Sequence, residues 1–210
     1  MCGRYGRRGD KQKMAEAFHA NAGLDELCEL DDCAPGSIQP VVRVNEDGKR
    51  EFASMRWGFK LPDRLLFNTR SEGVESANFW KKMFAENRCI VPATSYFEWA
   101  DGSGPKQKYE VAFPGQEFLG IAGVWSPWQN PKTGQWEKTF STFTGEPNAL
   151  IKRIHDRQPV ILERRDFAEW LSEAPRPPVH LLRITPEERM SMKIVEASSP
   201  AGPMQAGLFG

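Results

Sequence analysis

Four segments in the middle of the chain are rich in aromatic and β-branched residues and are separated by glycine- and proline-containing turns. They read SYFEWAD, KYEVAF, FLGIAGVWSPW and WEKTFSTFTG. The stretch GSGPKQ follows the first segment and QNPKTGQ follows the third, and both have the composition of hairpin loops. The order lacks the strict alternation of strand and helix that builds a parallel sheet. The sequence therefore predicts a sheet made largely of hairpins.

Helical patterns are short and lie outside this region. DKQKMAEAFHA places Met14 and Phe18 on one face of a helix, and SANFWKKMFAE does the same for Phe79, Trp80 and Phe84. EPNALIKRI and RRDFAEWLSEA predict two more helices around the strand-like QPVIL, while CAPGSIQPVVRV, REFASMRWGFK and NRCIVPA predict further strands. We therefore predict one α+β domain with a curved, barrel-like, mostly antiparallel sheet and peripheral helices.

The length and the character of both ends set the domain organisation. The 210 residues suit one domain, which we expect over residues 1–195, and the Gly- and Pro-containing residues 196–210 predict a loose tail. No apolar run reaches the roughly 18 residues of a membrane span, and the beginning lacks the apolar stretch of a signal peptide. Together with four irregularly spaced cysteines, this predicts a cytoplasmic protein with reduced thiols and no membrane partner.

Charge and cysteine content limit the possible ligands. Lys+Arg and Asp+Glu both number 28, so a site for a polyanion has to be a local basic patch. Cys28 and Cys33 lack a second Cys/His pair nearby and make a poor zinc site. We interpret Cys28, Cys33 and Cys89 as buried small hydrophobes or bystanders. No metal or other cofactor is predicted.

Three histidines are present, and their surroundings differ. His19 lies in the first predicted helix and is interpreted as a structural or surface residue, and His180 lies at a predicted strand start in PPVHLLRIT. His155 lies between a helix and a strand in RIHDRQPVIL. It either caps the helix C-terminus, where the helix dipole favours its charge, or acts from a loop that rigid elements hold. The residues alone leave both interpretations open.

Two further polar positions stand out in extended segments. YFEWA places Glu98 on the opposite face from Phe97 and Trp99. Glu98 is an ordinary surface residue if it faces solvent, whereas in a concave interior desolvation raises its pKa into a range useful for proton transfer. FNTRSE places Asn68 and Arg70 on one face, where they either hold a phosphate or form a turn with a surface ion pair.

The chain begins MCGRY, with a cysteine at its second position. Cys2 is either incidental or part of a chemical site. If Met1 is removed, Cys2 carries a free α-amine beside its thiol. Unperturbed groups of these types titrate near ~8 and ~8.5, which predicts that both nucleophiles are partly available at neutral pH. Gly3 allows this end of the chain to approach a ligand closely.

The motifs MCGRY, RWGF, NTRSE, RCIVPATSYFEW and IHDRQPVIL occur in this order, and together they resemble the SRAP family (SOS response-associated peptidase domain), whose members process abasic sites in DNA. The resemblance runs from Cys2 to about Leu162. It implies a mixed fold around a curved sheet, with a basic groove for single-stranded DNA. It assigns the nucleophile to Cys2, the amide that positions the amine to Asn68, and the proton-transfer groups to Glu98 and His155. It also assigns DNA contacts and the site lining to Arg4, Arg70, Arg157 and Thr144.

The resemblance implies covalent capture of a ring-opened abasic site. The Cys2 amine condenses with the sugar aldehyde to an imine, and the thiolate closes a thiazolidine ring in an intramolecular step. Elimination from the imine instead gives lyase activity. Two alternatives stay open: a thiol peptidase that uses Cys2, His155 and Asn68, with its own leader as one possible substrate, and a non-catalytic nucleic-acid reader. We expect a monomer whose partner is single-stranded DNA containing an abasic site.

The chain departs from the family pattern at two places. The segment KLPDRLL, between RWGF and NTRSE, lacks the tryptophans that family members often carry there to wedge against DNA. Asp32 and Cys33 precede APG, where an asparagine and an aliphatic residue are more typical.

Overall fold

The computed structural model of the chain describes residues 2–20, 23, 25, 27–100, 106–173 and 176–195. Strands dominate this part of the chain, and its helices are short. The elements follow one another as β1 (Arg4–Arg7), α1 (Lys11–Phe18), β2 (Leu30–Cys33), β3 (Ile38–Val44), β4 (Arg50–Trp57), β5 (Phe59–Lys60), β6 (Leu65–Leu66), β7 (Asn68–Arg70), α2 (Lys81–Glu86), β8 (Arg88–Ala93), β9 (Ser95–Ala100), β10 (Gln107–Ala112), β11 (Leu119–Gln129), β12 (Trp136–Gly145), β13 (Gln158–Pro159), β14 (Ile161–Leu162), α3 (Phe167–Leu171) and β15 (Ser191–Ile194). Single turns of 3-10 helix lie at Ile151–Arg153, Arg164–Asp166, Val179–Leu181 and Glu187–Arg189.

Five strands close into a barrel at the centre of the molecule. Around the barrel, β12 pairs with β4, β4 with β3, β3 with β8, β8 with β11, and β11 with β12 again. The pairing of β4 with β12 is parallel and the other four are antiparallel. The rings of Trp57 and Phe140 stack in the core at a centroid distance of 6.1 Å. The prediction of a single α+β domain with a barrel-like, mostly antiparallel sheet is confirmed.

A second sheet, antiparallel throughout, holds the beginning of the chain. Its strand order is β15, β10, β9, β1, β2. β1 lies in its interior, with Tyr5 opposite Cys33 of β2 on one side and Tyr96 of β9 on the other. Tyr5 and Tyr96 belong to the same buried cluster as Trp57 of the barrel. Because strands flank β1 on both sides, Cys2 is held in the interior instead of at a fraying end.

The helices pack on the outside of this framework. Asp10 begins α1 by accepting the backbone N–H groups of Gln12 and Lys13, each at 2.9 Å. Phe18 at the other end of α1 stacks on Phe167 of α3 at a centroid distance of 5.3 Å. The prediction of the first helix from its apolar face is confirmed.

Three local predictions are wrong. The second helix begins only at Lys81, and Phe79 and Trp80 before it instead pack edge-to-face around Phe59. EPNALIKRI forms one 3-10 turn instead of a longer helix. His180 lies in a 3-10 turn and not at a strand start. The reason is that the two prolines before Val179 have no N–H for a sheet, and the Val179 N–H turns back to the Pro177 carbonyl at 2.8 Å.

The hairpin formed by β11 and β12 confirms the predicted QNPKTGQ loop, since Gln129 pairs with Trp136 across it. Most of the predicted GSGPKQ loop and the predicted tail over residues 196–210 lie outside the described residues. Cys33 and Cys89 are buried as predicted, whereas Cys28 is exposed, and none of the described cysteines forms a disulfide. Within the described ranges, no helix has the length and apolar character to cross a membrane.

Candidate active site

Cys2 lies in the protein interior, where neighbouring strands and loops enclose its thiol. Cys2 is 4% exposed, and the Glu98 carboxylate and the backbone N–H of Arg4 both influence the pKa of its thiol. The Asn68 side-chain amide donates to the Cys2 carbonyl oxygen at 3.0 Å. Met1, on whose removal a free amine at Cys2 depends, lies outside the described residues.

Burial changes the protonation expected for this thiol. Desolvation, followed by the negative charge of Glu98, raises the pKa of Cys2 well above its ordinary value. The prediction that the thiol is partly ionised at neutral pH is therefore wrong for this geometry. A neutral thiol needs a base that removes its proton before it can act as a nucleophile.

Glu98 is positioned to be that base. It projects from β9 and is only 2% exposed, and burial raises its pKa to about 7. Its Oε1 atom has no hydrogen-bond partner among the described residues. Of the two interpretations from the sequence, the concave interior with a raised pKa is confirmed.

His155 lies in the loop after the 3-10 turn at Ile151–Arg153, with its ring near Glu98. Its Nε2 atom is 3.9 Å from Glu98 Oε2, and its Nδ1 atom accepts the Arg157 N–H at 3.0 Å. Desolvation is the main cause that lowers the pKa of His155, which favours the neutral ring at neutral pH. Nδ1 also lies 3.1 Å from the Arg157 carbonyl oxygen and 3.1 Å from Asp156 Oδ1, and Nε2 is the ring nitrogen that faces Glu98.

Asn68 is fixed by a residue that the sequence analysis did not identify. Thr142 lies opposite Asn68 in the parallel pairing of β7 with β12. Its hydroxyl donates to Asn68 Oδ1 at 2.8 Å. Thr142 has no motif of its own; the one signal in the sequence is its spacing of two residues from Thr144, which places both on one face of β12.

A basic cavity of about 1040 Å³ opens beside His155. Its lining includes the basic residues Arg70, Lys106, Lys152, Arg153 and Arg157 and the acidic residues Glu146 and Asp156. The positive charges outnumber the negative ones here, although the whole chain is neutral. This excess is a local basic patch of the kind that a neutral chain needs in order to bind a polyanion.

The other predicted DNA-contacting residues differ in exposure and in whether they line the cavity. Arg70 is exposed and lines the cavity. Thr144 is 2% exposed and lies beneath it, offering its carbonyl to Arg157 Nη2 at 2.6 Å. Arg4 is outside the cavity lining and pairs with Asp32 at 3.1 Å.

Arg157 also lines the cavity, and its guanidinium is hydrogen-bonded to a carboxylate of the protein. Its Nη1 and Nη2 atoms donate to the two carboxylate oxygens of Glu72 at 2.9 and 2.8 Å. A bidentate pair of this kind is also the geometry in which arginine binds a phosphate. Glu72 thus takes the position that the resemblance gives to DNA, an arrangement that the sequence did not predict.

In the part of the chain that the structure describes, no group of three or more His, Cys, Asp or Glu side chains could hold a metal ion. The titratable groups that do come together are Cys2, Glu98 and His155, with Asn68 fixing the main chain of Cys2.

Comparison with known proteins places the chain in a family. The family model for the SOS response associated peptidase (SRAP) matches residues 1–199. The chain belongs to the SRAP family. The abasic site processing protein YoqW of Bacillus subtilis is 27% identical to this SRAP chain over 210 residues, which cover 95% of this chain and 93% of YoqW. The abasic site processing protein HMCES of Xenopus tropicalis is 27% identical over 79% of this chain and 56% of its own length.

The SRAP fold is also found in a solved structure. A crystal structure of a protein from Bacteroides thetaiotaomicron superimposes with a TM-score of 0.81 at 20% identity, covering 96% of this chain and 97% of the other. This likeness bears on the fold alone.

Proposed function

We propose that this SRAP protein processes abasic sites by capturing their ring-opened aldehyde covalently on Cys2, in single-stranded DNA and after removal of Met1. The observation that carries the proposal is the convergence of the Cys2 thiol, the Glu98 carboxylate and the His155 ring beside a basic cavity. Membership of the SRAP family and the names of the relatives, abasic site processing proteins, support the same substrate.

The first chemical step forms an imine. The free amine of Cys2 attacks the aldehyde carbon and gives a carbinolamine. Protonated Glu98 donates its proton to the departing hydroxyl group, which leaves as water, and an iminium ion remains. A carboxyl group with a pKa of about 7 suits this step, because its protonated form is well populated at neutral pH.

The second step uses the proton acceptor that the first one creates. Glu98, now a carboxylate, removes the proton of the Cys2 thiol, whose pKa it influences from close by. The thiolate attacks the iminium carbon, and the ring closes to a thiazolidine with Glu98 protonated again. The high thiol pKa is compatible with this order, since the sulfur becomes nucleophilic only after the imine has formed.

Asn68 and His155 assist in different ways. Asn68 holds the carbonyl of Cys2, so it orients the residue through its main chain. His155 directs Nε2 towards Glu98, where it donates a hydrogen bond to a sugar oxygen or to the departing hydroxyl. Phosphates on either side of the lesion bind Arg70, Lys106, Lys152 and Arg153, which gives salt-dependent and largely sequence-independent binding.

The test is adduct formation with a defined oligonucleotide. Protein confirmed by mass spectrometry to lack Met1 is mixed with single-stranded DNA that contains one abasic site. We expect a heat-stable adduct that disappears in Cys2→Ala and persists in Cys28→Ala, a control that removes an exposed thiol. Absence of an adduct with correctly processed wild-type protein would contradict the proposal.

The same reactions separate the other activities. Strand cleavage without a stable adduct indicates that elimination is faster than ring closure. Peptide cleavage that Cys2→Ser abolishes supports a thiol peptidase. Aldehyde capture suits this site better, because burial and the charge of Glu98 raise the pKa of the Cys2 thiol, whereas a peptidase needs a thiolate before it meets its substrate.

A further inference from the structure

Thr142 is a buried hydroxyl residue in direct contact with Asn68. It is 3% exposed and lies on β12 opposite Asn68 of β7. Its Oγ1 atom is 2.8 Å from Asn68 Oδ1 and 3.3 Å from the Phe67 carbonyl oxygen. A hydroxyl has one proton to donate, and the shorter contact to Asn68 is the better hydrogen bond.

This contact and the Cys2 carbonyl together hold the Asn68 amide in one orientation. The Cys2 carbonyl oxygen can only accept, so it takes the NH2 end, and the Thr142 hydroxyl donates to the oxygen end. A carboxamide accepts through its oxygen and donates through its NH2 group, and the two ends point in opposite directions. Thr142 bonds the oxygen end, so the NH2 end is left to donate to the Cys2 carbonyl at 3.0 Å. A flipped amide would bring its oxygen against the Cys2 carbonyl oxygen and lose the donor bond.

We propose that Thr142 is a positioning residue, which holds the Asn68 amide with its NH2 group on the main chain of Cys2 and so keeps the amine and thiol of Cys2 aligned for capture. The inference rests on the proposed function for its effect on rate. Alignment matters because ring closure depends on the relative orientation of two groups on one residue. Thr142 acts through Asn68 and itself touches no reacting atom.

The first test is the single-turnover rate of adduct formation with protein lacking Met1. Thr142→Val keeps the shape of the side chain and removes the hydroxyl, and we expect a rate about 10-fold lower. Thr142→Ser restores the hydroxyl and is expected to recover most of the rate. Binding of an intact oligonucleotide without an abasic site is expected to change less than about 2-fold, because Thr142 is outside the lining of the basic cavity.

Two comparisons distinguish positioning from a general structural effect. Ser141→Ala is the matched control, since Ser141 is a fully buried hydroxyl residue on the same strand that accepts from Thr69 and does not bond Asn68. We expect it to leave the rate within about 2-fold of the wild type. In an Asn68→Ala background, Thr142→Val is expected to cause no further loss, because its partner is already absent.

A second readout does not require any activity. The side-chain NH2 protons of Asn68, followed by NMR, are expected to exchange with solvent slowly in the wild type and faster in Thr142→Val. An unchanged rate and unchanged exchange in Thr142→Val would overturn the inference. It would also be overturned if adding Thr142→Val to Asn68→Ala lowered the rate as much as Thr142→Val lowers it in the wild type. If the wild type forms no adduct, the proposed function fails, and the exchange measurement still decides the role of Thr142 in holding the amide.

Discussion

Glu98 and Glu110 are glutamates on neighbouring strands, similarly buried, with opposite protonation behaviour. They are 2% and 6% exposed, yet the pKa of Glu98 is raised to about 7 and that of Glu110 is lowered to about 2. In the pairing of β9 with β10, Glu98 lies opposite Tyr109 and Glu110 lies opposite Phe97. This offset of one residue sends the two carboxylates to opposite faces of one sheet.

The partners on each face explain the difference. Burial by itself raises the pKa of both carboxyl groups. For Glu110 this effect is outweighed by hydrogen bonds from Arg8 and Ser95 at 2.7 Å each and by Lys193 at 3.0 Å. For Glu98 burial outweighs the positive amino terminus and the Cys2 thiol, both of which lower the pKa, and its Oε1 has no partner among the described residues. A buried carboxylate held by several cationic side chains stabilises a fold, whereas one whose pKa burial raises to about 7 is available for proton transfer.

The largest expected effect is on the rate of adduct formation. Glu98→Gln removes the proton donor and acceptor, and we expect a rate lower by about 100-fold or more. Glu110→Gln is the matched control on the other face and is expected to change the rate by less than about 2-fold. Single-turnover adduct formation on abasic single-stranded DNA measures both. Similar losses of rate in the two variants would contradict the assignment of proton transfer to Glu98 and not to Glu110.

The next effect is on stability, and its pH dependence has opposite sign at the two sites. Because the folded pKa of Glu98 exceeds the ordinary 4.5, the folded state holds the extra proton between these values. Its stability contribution is complete below pH 4.5 and is lost as the pH rises through 7, a loss on the order of 3 kcal/mol. Glu98→Gln is therefore expected to gain stability relative to the wild type at pH 8 and much less at pH 5.

For Glu110 the folded pKa is below 4.5, so its contribution is present above that pH and is lost as the pH falls through 2. Glu110→Gln is expected to lose about 1–2 kcal/mol at both pH 5 and pH 8, a modest value since Lys193 and Arg8 are partly exposed. Urea unfolding at the two pH values measures both variants. A stability difference from the wild type that rises with pH for Glu110→Gln, as for Glu98→Gln, would contradict this account.

The smallest expected effect concerns a paired carboxylate beside the basic cavity. Glu72 is half-exposed and holds Arg157 in a bidentate pair, and the hydrogen bonds from Arg157 lower its pKa. Glu72→Gln frees Arg157 for a phosphate, and we expect an intact single strand to bind about 2–3-fold more tightly, with a steeper dependence on salt.

Glu146→Gln is the control for this binding experiment, since Glu146 also lines the cavity. Fluorescence anisotropy at several salt concentrations compares the two variants. Equal gains would mean that net charge alone decides the affinity and that the pairing of Glu72 with Arg157 does not restrict it.

The sequence predicted the hairpin strands and the first helix, but not the extent of the later helices. Hairpin strands such as β11 and β12 follow from alternating residues and a short turn, which are neighbouring features of the chain. The parallel contact between β4 and β12, which closes the barrel, joins Arg56 to Thr139 across a long separation and has no local signal. The 3-10 turn at His180 was missed because the backbone hydrogen bonds of Pro177 and Val179 outweighed an extended pattern.

The sequence by itself determined the chemical groups that the protein can use: a thiol at Cys2, an amide at Asn68, a carboxyl group at Glu98 and an imidazole at His155, in an order of motifs typical of the SRAP family. Only the tertiary structure decided their protonation and their partners. In the folded chain Asn68 hydrogen-bonds to Thr142 and Arg157 forms an ion pair with Glu72. The pKa of the Cys2 thiol is raised, although the sequence predicted a partly ionised thiol. The physical reason is that acidity depends on burial and on nearby charges, and both arise from contacts between residues that are far apart in the chain.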